Sequence, residues 1–257
     1  MSEDKVKLLC GLPLEFEGRY IAQPKISDIV AMGVEEYYKK CFPFLISLEF
    51  LDIESDKNKD FDLFWLINEK ILGDKYLIES LAEGLVFFFR TENIDFDYNS
   101  KEIVIYDKKI EEKIEEINGE MIKSESVIKF NKATINRDNF DVLAQKIMLI
   151  TNTEKLKNEK KDLSKLSDKA RRFLEAKERY EKATKKDDDL INNLYNLINY
   201  LVHFSNSLDY KGIIDLTMYQ ANNSMVVYSK KDTYKVNLSA YFAGAKINKK
   251  DLKHWSS

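Results

Sequence analysis

Few side chains in this sequence could do covalent, acid–base or metal chemistry, and their spacing does not bring them together. His203 lies inside the apolar run LINNLYNLINYLVHF, and His254 stands beside Trp255 near the last residues. The two thiols, Cys10 and Cys41, are equally isolated. Zinc sites need paired ligands at short spacing, as in CxxC or HExxH, and neither pattern occurs. The phosphate-cradling GxxxxGK[ST], the dinucleotide-binding GxGxxG and the nucleophile elbow GxSxG are missing as well. Carboxylates are plentiful because 33% of the residues are charged. The pairs Glu35-Glu36, Glu111-Glu112 and Glu115-Glu116 are expected on solvated helices, and nothing marks two of them as an acid and a base. A non-enzymatic chain with no cofactor and no metal is therefore expected.

The elements around these residues are expected to be α+β and predominantly helical. Eight glycines and three prolines in 257 residues favour long helices over successive tight hairpins. The 44% hydrophobic content suits a globular chain that folds without disulfides or metals. Residues 5–22 suggest a strand pair, KVKLLC and EFEGRYIAQ, punctuated by Gly11, Pro13 and Gly18. After Pro24, apolar residues from Ile26 to Leu45 recur at three and four, a helix face that Gly33 kinks or divides. Helices are expected over Phe61–Leu72 and from Tyr76 to Leu85, where VFFFR either closes the second helix or opens a strand. ENIDF and EIVIYD flank the turn-rich DYNSK as a hairpin. IEEKIEEING (110–119) looks like a short, acidic, amphipathic helix, and SESVIKF like a strand. NRDNFDVLAQKIMLIT suggests a helix capped by Asn136 or Asp138, with Phe140, Leu143, Ile147 and Ile150 on its inner face.

Three regions follow: a mixed domain over 1–151, a charged connector helix over 152–189, and a helical domain over 190–257. In the connector, Leu163, Leu166, Ala170, Phe173 and Tyr180 form a short stripe interrupted by Lys177, too brief for a sustained coiled coil. It suits a solvated helix laid against the protein, or an arm for a partner helix or for self-association. Lys and Arg outnumber Asp and Glu by 13 to 6 between Lys155 and Lys186, so Lys169, Arg171, Arg172, Phe173 and Tyr180 are the candidate contacts for a partner. Nucleic acid is disfavoured by the net charge of −3 and the lack of interleaved aromatics, and remains an alternative through the basic helix 155–186. Three aspartates, Asp187 to Asp189, are expected to cap a helix apolar on most of its circumference. A further helix is expected after Gly212, and TYKVNLSAYFAGAK is ambiguous. Docking of Trp255 onto this helical region is expected. The charged start MSEDKVKLLCGLPLEFEG has no apolar core of a secretory signal, and no run reaches the roughly 18 apolar residues of a membrane span. A cytoplasmic protein, or one built into a particle assembled in the cytoplasm, is expected.

Two stretches carry a resemblance. YIAQPKISDIVAMGVEEYYKKC, with Pro24, Ile26, Ile29, Gly33 and Tyr37, resembles an N-terminal segment of proteins from tailed phages and prophages of Gram-positive bacteria. IIDLTMYQANNSMVVYSK and AGAKINKKDLKHWSS resemble the C-terminal part of the same kind of protein, through Asp215, Leu216, Thr217, Tyr219, Gln220, Ala243, Gly244, His254 and Trp255. The resemblance implies a phage morphogenesis protein, either tail assembly chaperone-like or a structural component of the virion. Its partners would be phage tail or virion proteins, or further copies of itself. The motif residues are expected to be packing residues.

Overall fold

A computed structural model describes residues 3–46, 75–97, 99–100, 102–117, 120–153, 188–205, 207–248, 252 and 254, with the backbone alone at 75–78, 112–125 and 188–192. The helix expected over Phe61–Leu72, nearly all of the connector, Asp187 and Trp255 lie outside these residues. The fold is α+β and predominantly helical, with antiparallel sheets of two and three strands. The chain forms two compact units: Met1–Pro24 with Glu36–Asn158, and Lys25–Glu35 with Glu159–Ser257. The division drawn from sequence kept 25–35 with the N-terminal region, whereas the structure groups this segment with the C-terminal one.

In the first unit, KVKLLC is helical rather than extended. It belongs to α1 (Glu3–Leu9), whose acidic first turn suits the helix dipole and whose Glu3 pairs with Lys7 one turn on. The strand pair is confined to β1 (Leu14–Phe16) and β2 (Arg19–Ile21). Glu17 and Gly18 both have positive φ, as a two-residue hairpin turn requires. The buried Gln23 side chain donates to the Leu12 carbonyl at 2.7 Å and ties the end of α1 to the residues after β2.

The helix face after Pro24 does divide at Gly33, whose φ of 95° separates α2 (Ile26–Met32) from α3 (Val34–Leu45). Pro43 sits inside α3 and has no N–H for the Lys39 carbonyl. Ser80 Oγ on α4 (Lys75–Phe89) donates to that carbonyl at 2.6 Å and satisfies it. VFFFR closes α4, and Phe88 packs edge-on against Phe44 of α3 at 5.9 Å. α5 (Phe140–Thr151) buries the four predicted residues Phe140, Leu143, Ile147 and Ile150. Its N-cap is Asn139, not Asn136 or Asp138. Asn139 accepts from the Asn136 N–H and donates to the Thr134 carbonyl, so it joins the preceding strand to the helix.

The three-stranded sheet runs β3 (Ile94–Asp97), β4 (Glu102–Ile117), β5 (Glu120–Ile135), all antiparallel. The acidic stretch 110–117 is the outer half of β4, not a helix, and Glu111-Glu112 and Glu115-Glu116 lie on a strand. Ile110, Ile114 and Ile117 recur at helical spacing. The paired backbone of β5 overrides that local signal.

In the second unit, α6 (Asp188–Phe204), α7 (Tyr210–Ile214) and α8 (Met218–Phe242) join α2. Its core holds Ile26, Ile29, Leu194, Leu197, Leu201, Ile213, Met218 and Ala221. α6 is less enclosed than its sequence suggests. Among its described side chains Leu194, Leu197 and Leu201 are buried, while Tyr195, His203 and Phe204 are exposed. TYKVNLSAYF is helical throughout, as the second half of α8.

Candidate functional site

The residues that could carry chemistry stand apart. His203 is exposed on α6, and His254 lies edge-on to Tyr234 at 5.3 Å. Cys10 is exposed, whereas burial pushes the Cys41 thiol up to about 12, which leaves it protonated and inert at neutral pH. Among the described residues no group of three or more His, Cys, Asp or Glu is placed to hold a metal ion. No helix among them is long and apolar enough to cross a membrane.

Several of the phage-like motif residues are brought together in the second unit. The Ile26 N–H donates to the Leu216 carbonyl at 2.9 Å, and Lys25 forms an antiparallel bridge with Thr217. Lys25 Nζ lies 3.4 Å from the Asp215 carboxylate. The Lys25 N–H donates to Asp28, which anchors the start of α2. Thr217 and Gln220 form a reciprocal capping box: the Gln220 N–H donates to Thr217 Oγ1 at 3.2 Å, and the Thr217 N–H donates to Gln220 Oε1 at 2.9 Å. Tyr219 is buried beside Met218. At the other end of α8, Gly244 has a φ of 90°. The Ala245 N–H reaches back to the Ala240 carbonyl and the Gly244 N–H to Tyr241, which is a Schellman stop. The motif residues thus specify where α2 and α8 begin, where they end and how their N-termini join. Pro24 and Tyr37 fall in the first unit, and Tyr37 is buried against Phe87.

The feature open to partners is an arm that sequence reasoning missed. β3 pairs with β4 only over Glu102–Ile105, and the Tyr106 N–H closes that edge on the Asn93 carbonyl. β4 and β5 continue as a two-stranded ribbon to the Ile117–Glu120 pair. Sixteen-residue strands span roughly 50 Å when extended. Past Tyr106 the outer edge of β4 meets no other strand among the described residues. Four large apolar side chains stand out on the ribbon: Ile110 and Val127, cross-strand partners 54% and 55% exposed, together with Ile128 and Phe130.

The base of the arm is held by a polar clamp. The register shifts between Ile105 and Asp107, where Asn131 adopts a φ of 47° that bulges β5. Arg19 of β2 donates to Asp107 at 2.9 Å and to the Asn131 carbonyl at 2.8 Å. Asn131 Nδ2 donates to the other Asp107 oxygen at 3.1 Å. The Asn131 hydrogen bond, followed by that of Arg19, holds the Asp107 carboxyl below its ordinary range. Lys129 lies over the Tyr106 ring and pairs with Asp95, and the Tyr106 hydroxyl donates to the same carboxylate.

The candidate contacts Lys169, Arg171, Arg172, Phe173 and Tyr180, like Trp255, lie outside the described residues. Asp215, Leu216 and Thr217 meet Lys25 and Ile26 at the start of α2, while Gly33 ends it. The strand expected at SESVIKF lies within β5 and was the sequence signal nearest the arm.

Residues 183–257 match the family model described as the YomV second domain. This is a family of the phage and prophage type, compatible with a phage protein. The match contains α6, α7 and α8, hence the capping box and the Schellman stop. No curated protein and no solved structure matches the chain.

Proposed function

We propose that this chain is a non-enzymatic phage or prophage protein that acts in tail or virion assembly through protein–protein contacts. The observation that carries this reading is the β4–β5 arm. It presents a long strand edge unpaired among the described residues, and exposed Ile110, Val127, Ile128 and Phe130, on a base held by the Arg19–Asp107–Asn131 clamp. Exposed edges are templates for strand addition, and proteins that have no use for them normally shorten or cover them. The family match at 183–257 supports the phage setting. A tail assembly chaperone would work in the host cytoplasm and leave before the particle is complete; a structural component would stay in it. Size-exclusion chromatography of the chain mixed with tail-tube or tape-measure subunits tests the chaperone role, which predicts co-elution and no copies in purified particles. Copies in the particle without co-elution would favour the structural role. Neither co-elution nor incorporation would overturn the assembly reading.

A further inference from the structure

The free edge of β4 has a symmetry that points to its occupant. It starts at Asp107, because Tyr106 is already bonded to Asn93, and it ends with the strand at Ile117. Its midpoint is Glu112. An antiparallel strand placed with its own Glu112 opposite this one would fill the edge from end to end. The sequence DKKIEEKIEEI is complementary to itself in that register. Lys108 falls opposite Glu116 of the second copy, Lys109 opposite Glu115, Glu111 opposite Lys113 and Ile110 opposite Ile114, and the twofold repeats each pair. Opposite charges and matched apolar residues are the favourable cross-strand pairs. Facing residues must both turn their amides to the shared edge, so the register slides by two. Sliding one way sets Lys109 against Lys113 and Asp107 against Glu115; sliding the other way sets Lys113 against itself and Glu111 against Glu115. Only the centred register combines full use of the edge with no like-charge pair apart from Glu112 meeting itself on the axis; at its two ends Asp107 meets Ile117.

We infer that β4 pairs antiparallel with β4 of a second copy of this chain about Glu112, joining two arms into a four-stranded sheet. The pairing deepens the assembly reading, resting on the arm being a contact surface, and it names the partner at this edge. The present ion pair between Lys109 and Glu111 at 3.1 Å is exposed, so exchanging it for an intermolecular one costs little. An isologous contact of this kind closes on itself and leaves the β5 edges outermost.

The test is sedimentation equilibrium of the full chain at low and high salt, with no phage protein present. The wild type should form a dimer that weakens as salt screens the charged pairs. K108E/K109E sets like charges opposite each other at four positions and should raise the dissociation constant by about tenfold or more. Reversing all four, K108E/K109E/E115K/E116K, restores the complementarity within one sequence and should restore the dimer. E112Q removes the repulsion on the axis and should tighten it. Far-UV circular dichroism shows that each variant is folded. A wild type that stays monomeric, a K108E/K109E variant that dimerises as well as the wild type, or a fourfold variant that stays monomeric would each overturn the pairing. A monomer that still co-elutes with tail subunits would defeat the twofold alone. A dimer that binds none of them would uphold the twofold and defeat the assembly reading.

Discussion

Gly84 of α4 has no room for a methyl group. A Cβ there would lie 2.5 Å from the Lys40 carbonyl oxygen and 2.8 Å from the Phe44 ring. The close approach of α3 and α4 that this glycine permits also places Ser80 on the carbonyl orphaned by Pro43, and Lys40 2.9 Å from Glu83. Alanine would raise intrinsic helix propensity by about 1 kcal/mol. The clash with backbone outweighs this, because the Lys40 carbonyl cannot move without disturbing α3. Gly84→Ala should therefore destabilise the protein by about 1–3 kcal/mol in urea denaturation, whereas a neutral or stabilising effect would mean the helices separate freely. Gly33 and Gly244 are different: nothing lies within 4 Å of a Cβ at either, and their positive φ is the reason for glycine.

At the scale of elements, the arm depends on the clamp at its base. The folded-state pKa of Asp107 is depressed, so the stability it contributes is complete above the unfolded value near 4 and is lost as pH falls through the lower folded value. The urea midpoint of Asp107→Asn should accordingly fall below that of the wild type above about pH 5, and the gap should close on acidification. A gap that persists well below pH 3 would mean that the carboxylate charge is not what holds the clamp. The helices were legible where their signals are local. Ile26 to Leu45 shows a 3.6-residue period broken at Gly33, and Phe140 to Ile150 a single inner face. Thr217 and Gln220 are a readable capping box, though the meeting of Asp215, Leu216 and Thr217 with Lys25 and Ile26, some 190 residues away in sequence, could not be read from spacing. The arm was misread for a physical reason. Ile110, Ile114 and Ile117 imitate a helix, and only the pairing of β4 with β5 decides otherwise. KVKLLC erred in the opposite direction. Its alternation resembles a strand, but Glu3, Asp4 and the Glu3–Lys7 pair favour a helix. The apolar content of α6 overstated its burial, since Tyr195 and Phe204 remain 65% and 46% exposed.

For the whole molecule, the second unit recruits its own N-terminal piece. Lys25–Glu35 belongs to the second unit, where α2 packs with α7 and Lys25 bridges to Thr217 at the start of α8. Of the phage-like motif residues, Ile26, Asp215, Leu216 and Thr217 form this junction, and the family match covers its C-terminal part. The first unit contributes the arm and, in the proposed function, the contacts made in assembly. The most direct measurement of that claim is amide hydrogen exchange on the full chain, alone and with the tail-tube and tape-measure subunits of the same phage. Slowed exchange confined to the outer half of β5, residues 120–130, whose edge two paired arms leave outermost, is the predicted result. A complex that forms while the arm exchanges as fast as in the free chain would contradict it.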